Sequence, residues 1–360
     1  MLCHLFWQKQ YLVKYLIINN MWNEQEIEKY LEKILKKELG QYDGVNYFAD
    51  YVKARHDLVE AILPNIKITE PSLTDHGASH VANVLKNAWQ LLTYHDAGKK
   101  METIKKFTAL DLYVLCLSVL FHDVGNINGR SNHNRKVLNV YNYVRNNSSK
   151  YYDEKRLITK TAEVHCGETN TGSRDTLLDI GNELYPLSGN PIKLLEISSI
   201  LRFADELAEG PQRTSDYLLR TDKITPESQI YHKYADITHI FIDRDGGRIV
   251  LRYDINIKNE TIDSLEKLLL YTYKRIMKLD EERKYAKFYS KYLAPFMQTE
   301  ITFNFYNKEE LSEELLLSIG RIILDDKCIP RGDKQVEATE LISMFTELKI
   351  ENIITQLKIT

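Results

Sequence analysis

Twelve consecutive residues, LDLYVLCLSVLF at 110–121, are apolar nearly all round and run straight into His122-Asp123-Val124-Gly125. A helix without a polar face must be covered on every side, so this segment belongs at the centre of a domain. The polar pair at its end then sits at the mouth of a buried helix. The run is too short to cross a membrane, which takes roughly 20 mostly apolar residues. The first twenty residues do not qualify either. Gln8, Lys9, Gln10 and Lys14 interrupt them, and they lack the basic start and small-residue cleavage site of a signal peptide. Residues 1–20 read as a packing appendage or a mis-assigned start, and Met21 opens an ordinary amphipathic helix through Ile27, Tyr30, Leu31, Ile34 and Leu35.

Around the apolar segment, hydrophobic residues recur at three- and four-residue spacings over 80–92, 132–144, 156–165 and 192–208, which predicts successive helices from about 75 to 220. Each aims a polar side chain inward. His80 shares a face with Val84, Ala88 and Leu91, and His165 with Leu157 and Thr161. His133, after a candidate N-cap at Ser131, lines up with Val137, Val140, Tyr141 and Val144; Asp205 lines up with Ile197 and Leu201. One inward histidine is ordinarily a hydrogen-bonded core residue, and a structural polar network is the competing reading here. Five helices each presenting His or Asp inward are better explained by a metal. Imidazole and carboxylate make the mixed ligand set of Fe, Mn, Zn, Ni or Co, and helical bundles build such centres from facing side chains. His56-Asp57, in KARHD, and His95-Asp96, where a helix runs out into Ala-Gly-Lys-Lys, are further His-Asp pairs expected at the surface.

Candidate phosphate contacts lie near these positions. Arg130 and Arg135 flank His133, Arg202 precedes Asp205 by three residues, and Arg213 lies in the loop beyond. Guanidinium suits bidentate phosphate binding, although Arg202 reads equally as an ion-pair partner of Asp205. His76 precedes His80 by one turn and is a candidate for the same pocket.

After Pro226 the texture changes. HIFIDRDGGRIVLRYDINI alternates about Asp245-Gly246, a two-residue hairpin signal. Residues 261–293 read as one long helix or two joined ones, ITFNFY (301–306) as a third strand, and the remainder as helical. His232 and His239 are expected at the surface or a strand edge. The fold class is mainly α: an N-terminal helical extension (1–71), a helical-bundle core (72–220) and a smaller α+β region (221–360).

Composition sets limits. A formal net charge of -3 over 360 residues excludes a strongly basic nucleic-acid or anionic-membrane binder on bulk electrostatics. It does not exclude phosphate substrates, because divalent cations supply a local positive field. Cys3, Cys116, Cys166 and Cys328 form no CxxC pair, so a disulfide framework is not indicated and a reduced, cytoplasmic setting fits. Cys166, beside His165, reads as core packing.

His80, His122-Asp123-Val124-Gly125, His133, His165 and Asp205, in this order on successive helices, resemble the HD superfamily of metal-dependent phosphohydrolases over about residues 72–216. The resemblance implies that His80, His122, Asp123 and Asp205 ligate a first metal. His133 and His165 match positions that hold a second ion in two-metal members and contact phosphate in others. DHGASH, HDVGNINGRSNH and LRFADELAEGPQRT are also similar to HD domains of bacterial multidomain proteins that carry ATPase or defence-type modules; no such module is recognisable after residue 220. HCGETNTGSRD stands where cyclic-di-GMP phosphodiesterases carry HHExxDGxGYP, and Asn126 where deoxynucleotide triphosphohydrolases place a histidine, so both activities are disfavoured. The implied function is hydrolysis of a nucleotide or related phosphate ester by metal-activated water, with one or two ions of Mn, Fe, Co, Ni, Zn or Mg. Asp123 would bridge, and His133 or His165 would orient phosphate or move a proton. A nuclease or cyclic-oligonucleotide phosphodiesterase is one alternative, and a ligand sensor without turnover is another. No membrane partner is expected, nucleic acid is not indicated by bulk charge, and a homo-oligomer stays open.

Overall fold

The structure, a computed structural model, describes residues 22–358 apart from 39–40, 43, 72–73, 170, 182, 216, 218, 220, 222, 259, 310–311 and 327–335. The segment 1–20, with Cys3, and the position of Cys328 lie outside the described residues. Among the described residues, eight helices build the bundle: α1 (Glu26–Lys37), α2 (Tyr47–Ala61), α3 (Leu63–Thr69), α4 (Ala78–Leu92), α5 (Ala109–Phe121), α6 (His133–Val144), α7 (Tyr152–Val164) and α8 (Leu194–Glu206). α5 is the apolar segment, and every one of its residues is buried. Its start is fixed by a reciprocal cap: the Thr108 hydroxyl accepts from Asp111 N at 3.0 Å while the Asp111 carboxylate accepts from Thr108 N at 2.9 Å. α1, α2, α4, α7 and α8 all pack on α5. By length and composition the stretch Ala109–Asn128 passes as a membrane span, contrary to the sequence expectation, but 94% of the window is buried inside the fold.

Two buried carboxylates tie helices of the bundle together. Glu28 on α1 accepts from Tyr51 Oη at 2.7 Å, Arg55 Nη1 at 2.7 Å and Trp22 Nε1 at 3.1 Å. Glu154 on α7 accepts from Tyr141 Oη at 2.7 Å, from Arg145 Nε at 2.8 Å and from Tyr113 on α5. Each charge is paired and hydrogen-bonded, as burial requires.

The C-terminal region is a four-stranded sheet in the order β3-β4-β5-β6 (Thr238–Asp243, Arg248–Asn256, Gln298–Lys308, Glu313–Asp325), preceded by a small β1-β2 hairpin (Pro186–Leu187, Asn190–Pro191). β4 and β5 are parallel and the other pairs antiparallel. A parallel pair needs a crossover, and here it is α10, the single 28-residue helix Ile262–Tyr289, which follows α9 (Pro226–Ile237). α10 packs on α8 and so joins the sheet to the bundle; α11 (Ala338–Met344) and α12 (Ile350–Leu357) follow the sheet.

Four expectations are corrected. The hairpin loop spans four residues, 244–247, because Arg244 turns inward and donates to Tyr292 O at 3.0 Å and Thr103 Oγ1 at 2.7 Å. Residues 313–325 form edge strand β6, not helix; pairing with β5 overrides a weak local pattern whose outer face is exposed. The residue capping α6 is Asn132, in the left-handed region at φ 52°, not Ser131. His232 is buried on α9 with Nδ1 2.9 Å from Thr214 Oγ1, whereas His239 lies on the edge strand β3 as expected.

Candidate metal centre

The centre is assembled at helix ends. His122 follows the last turn of α5, and Asp123 opens the 3-10 turn Val124–Asn128 leading to α6. That turn meets α6 so closely that a Cβ on Gly125 would lie 1.9 Å from the His133 carbonyl oxygen. His80 comes from the first turn of α4 and His133 from the first residue of α6. His165 follows the end of α7, and Asp205 lies in the last turn of α8.

His80 Nε2 lies 3.2 Å from Asp205 Oδ1, 3.3 Å from His122 Nε2 and 3.7 Å from Asp123 Oδ2. His122 Nε2 is 3.5 Å from Asp123 Oδ2 and 3.6 Å from Asp205 Oδ1. Neighbouring donors bonded to one ion at about 2.1 Å stand about 3.0–3.4 Å apart; two of these spacings fall in that range and three lie slightly above it, so this all N/O set could hold one divalent cation after a small contraction. Ring orientation agrees. His122 Nδ1 stands 2.8 Å from Val119 O, and a carbonyl oxygen accepts only a proton, which leaves Nε2 free to ligate. His165 Nδ1 meets Ala162 O at 2.6 Å, His133 Nδ1 meets Arg130 O at 3.2 Å, and His76 Nδ1 meets Thr74 O at 2.6 Å.

Asp123 stands between two groups of donors. While Oδ2 faces His80 and His122, Oδ1 lies 2.9 Å from His133 Nε2 and 3.6 Å from His165 Nε2. Cys166 Sγ sits 3.6 Å from His133 Nε2. Burial alone would raise both aspartates. The imidazoles outweigh it: His122, His133 and His165 hold Asp123 far below the usual carboxylate range, and His122 with His80 does the same to Asp205. Burial, with Arg213 adding to it, pushes His80 down, whereas at His122 the two carboxylates win and the ring rises. His133 overcomes its burial through Asp123 and Cys166 and reaches about 9; burial drives Cys166 up, but His165 and His133 bring it down to about 6.

Above the centre lies an open cavity of about 1010 Å³, lined at one end by His76, Asp123, His165, Cys166 and Asp205. Of the candidate phosphate contacts, His76, Arg130, Arg202 and Arg213 line it. Arg135 does not; it is exposed, and its guanidinium donates to Glu168 O at 3.5 Å. Arg202 is an ion-pair partner, but of Glu282 on α10, which it grips at 2.7 and 2.8 Å, and not of Asp205. Arg213 donates from Nε to Asp75 O at 3.0 Å, with Nη2 3.0 Å from His76 Nε2 and Nη1 3.6 Å from Glu209. Arg130 lies at the rim, its Nη1 on the neutral Asn126 Oδ1 at 3.2 Å. Sequence reasoning missed the opposite wall, which α9 and α10 supply: Tyr231, Tyr234, Tyr271, Arg275 and Glu282. It also took Cys166 for packing, although the side chain is only half-buried and faces the cavity.

The other His-Asp pairs are placed elsewhere. His95 and Asp96 are exposed, and their backbone N–H groups donate to the Asp245 carboxylate at 2.6 and 3.1 Å. Asp57 pairs with Lys53 at 2.8 Å, and His56 is half-buried rather than at the surface. Asp96→Ala should therefore leave bound metal unchanged by elemental analysis; loss of metal would mean that the wrong pair was chosen.

An HD-CE family model matches residues 70–279, more than half of the chain and well past the 216 at which the sequence resemblance was placed. Neither a curated protein nor a solved structure matches it. HD-type domains generally bind divalent metals and serve metal-dependent hydrolysis, in keeping with a buried all N/O donor set at the base of an open cavity. The chain belongs to the HD-CE family.

Proposed function

We propose that this chain is a phosphohydrolase that cleaves a nucleotide or related phosphate ester. The supporting observation is one cavity that joins a metal-type donor set, Asp123 and Asp205 included, to guanidinium groups and an aromatic wall. When bound, a divalent ion lowers the pKa of its water and polarises a phosphoryl oxygen. The chain supplies the rest. His80, His122, Asp123 and Asp205 hold the ion. Arg130 takes a phosphoryl oxygen, because its side-chain partner is a neutral amide, while Arg202 is already neutralised by Glu282. His165, on the cavity wall with Nδ1 anchored to Ala162 O, keeps Nε2 for the reacting phosphate, contacting it directly or through a second ion.

The aromatic wall favours a substrate with a base. Tyr271 makes edge contacts with Tyr231 at 5.6 Å and Tyr234 at 5.4 Å, and Tyr231 is 48% exposed. Such surfaces stack nucleobases without reading sequence. The same wall would serve a nuclease or cyclic-oligonucleotide phosphodiesterase, so product analysis decides between them. The test is hydrolysis of mononucleotides, cyclic oligonucleotides and single-stranded nucleic acid by the chain loaded with Mn, Co, Ni, Fe or Mg. Release of phosphate from mononucleotides alone supports the proposal. Turnover of polymers alone supports the second reading, and metal binding without any turnover supports a ligand sensor. Arg130→Ala should raise KM about tenfold or more, the size of one charge-assisted hydrogen bond, with a smaller change in kcat; an unchanged KM removes Arg130 from the site.

A further inference from the structure

Beside the four-residue centre, a second group of donors contains an atom of different chemistry. One ring nitrogen each of His133 and His165 and Sγ of Cys166 all lie within 4.8 Å of one another, and Asp123 turns Oδ1 towards Nε2 of the two rings at 2.9 and 3.6 Å. We infer that Cys166 is a thiolate ligand of a second metal position, completed by His133, His165 and the outer oxygen of Asp123, which selects a soft or borderline ion such as Zn, Co or Fe(II) over Mg or Mn.

The geometry carries the inference. A tetrahedral ion with a bond of about 2.3 Å to sulfur and about 2.0–2.1 Å to nitrogen separates those donors by about 3.6 Å, and Cys166 Sγ stands 3.6 Å from His133 Nε2. The approach is built in. After α7 the chain reverses through Gly167, at φ +82°, and Asn134 of α6 donates to Glu163 O at 2.8 Å and to Cys166 O at 3.4 Å. These bonds hold the turn bearing the thiol against the helix bearing His133, as outer-shell bonds do around metal ligands. Cys116 shows what a packing cysteine looks like in this fold: it is fully buried within the apolar helix α5. Cys166 is half-buried instead, and it opens onto the cavity that would receive substrate. Thiolate is a soft donor that favours Zn, Co or Fe, whereas a purely carboxylate and water site suits Mg or Mn. The two halves of the centre would then differ in metal preference while sharing Asp123.

The inference rests on the proposed function only in taking the centre to bind metal. It is tested on the full chain carrying Cys3→Ser and Cys328→Ser, stripped of metal and reloaded with Co(II). The expected result is two ions per chain and an intense near-ultraviolet thiolate-to-cobalt charge-transfer band. Adding Cys166→Ser should abolish the band, reduce the stoichiometry from two to one, and weaken Zn binding at the second position at least about tenfold, as loss of a supporting ligand contact does. If that variant fails to fold, protection of the parent's thiols from alkylation by Zn gives the same answer: a slowed thiol supports the assignment, and none overturns it. Two ions without the band, or one ion without it, overturns the thiolate ligand and leaves the phosphohydrolase proposal standing. A band in a protein that hydrolyses no phosphate ester supports the ligand and sinks that proposal.

Discussion

Asp205→Ala is expected to strip the four-residue centre of its ion and to lower phosphate-ester turnover about a thousandfold or more, about 4 kcal/mol of barrier, while the fold survives. Of the four candidate ligands Asp205 is the most open to the cavity, with its side chain 25% exposed, and it faces His80 at 3.2 Å and His122 at 3.6 Å. No arginine depends on it, since Arg202, one turn earlier on α8, is held by Glu282. Removing the carboxylate therefore leaves no buried guanidinium unpaired, the usual reason such a change unfolds a protein. What remains is two buried imidazoles and Asp123, too weak a set to retain a divalent ion through dialysis. Elemental analysis, circular dichroism and turnover on the same sample separate the possibilities. Metal content equal to that of the parent chain would refute Asp205 as a ligand.

Gly125→Ala should be the most damaging small substitution in the HD motif. The added Cβ meets backbone, 1.9 Å from the carbonyl oxygen and 2.8 Å from the carbonyl carbon of His133. No rotamer change relieves that overlap, so either the 3-10 turn or the start of α6 must move. Overpacking of this kind costs about 1–3 kcal/mol, and more where backbone must shift; we expect a loss of about 3 kcal/mol, read as a lower denaturation midpoint. The displacement also draws His133 away from Asp123. Gly320→Ala is the matched control: nothing lies within 4 Å of its added Cβ and its φ is ordinary, so its midpoint should barely change. Equal midpoints for the two variants would contradict the close packing of turn on helix.

The positions of the inward histidines were legible because helical periodicity reports direction. His80 lies on the face of Val84, Ala88 and Leu91, and all four are buried together. The arrangement of the arginines was not legible. Arg202 finds its partner in Glu282, eighty residues away on a helix whose sequence carries no motif, whereas local spacing offered only phosphate or Asp205. The aromatic wall is hidden for the same reason, since Tyr231 and Tyr271 meet only when α9 packs on α10. β6 escaped notice because its outer face is exposed and its inner one is only sparsely buried, which leaves no regular alternation to read. At Cys166 the sequence placed the residue correctly beside His165, but adjacency does not reveal that Sγ faces His133 from the next helix.

The central claim is that His80, His122, Asp123 and Asp205 surround one divalent ion. Anomalous diffraction from crystals of the full chain, collected on either side of the absorption edges of Mn, Fe, Co, Ni and Zn, tests it most directly. The account predicts a peak within bonding distance of Nε2 of His80, Nε2 of His122 and the carboxylates of Asp123 and Asp205. Well-ordered crystals grown with these metals present, in which those four side chains close on one another with no peak between them, would contradict it.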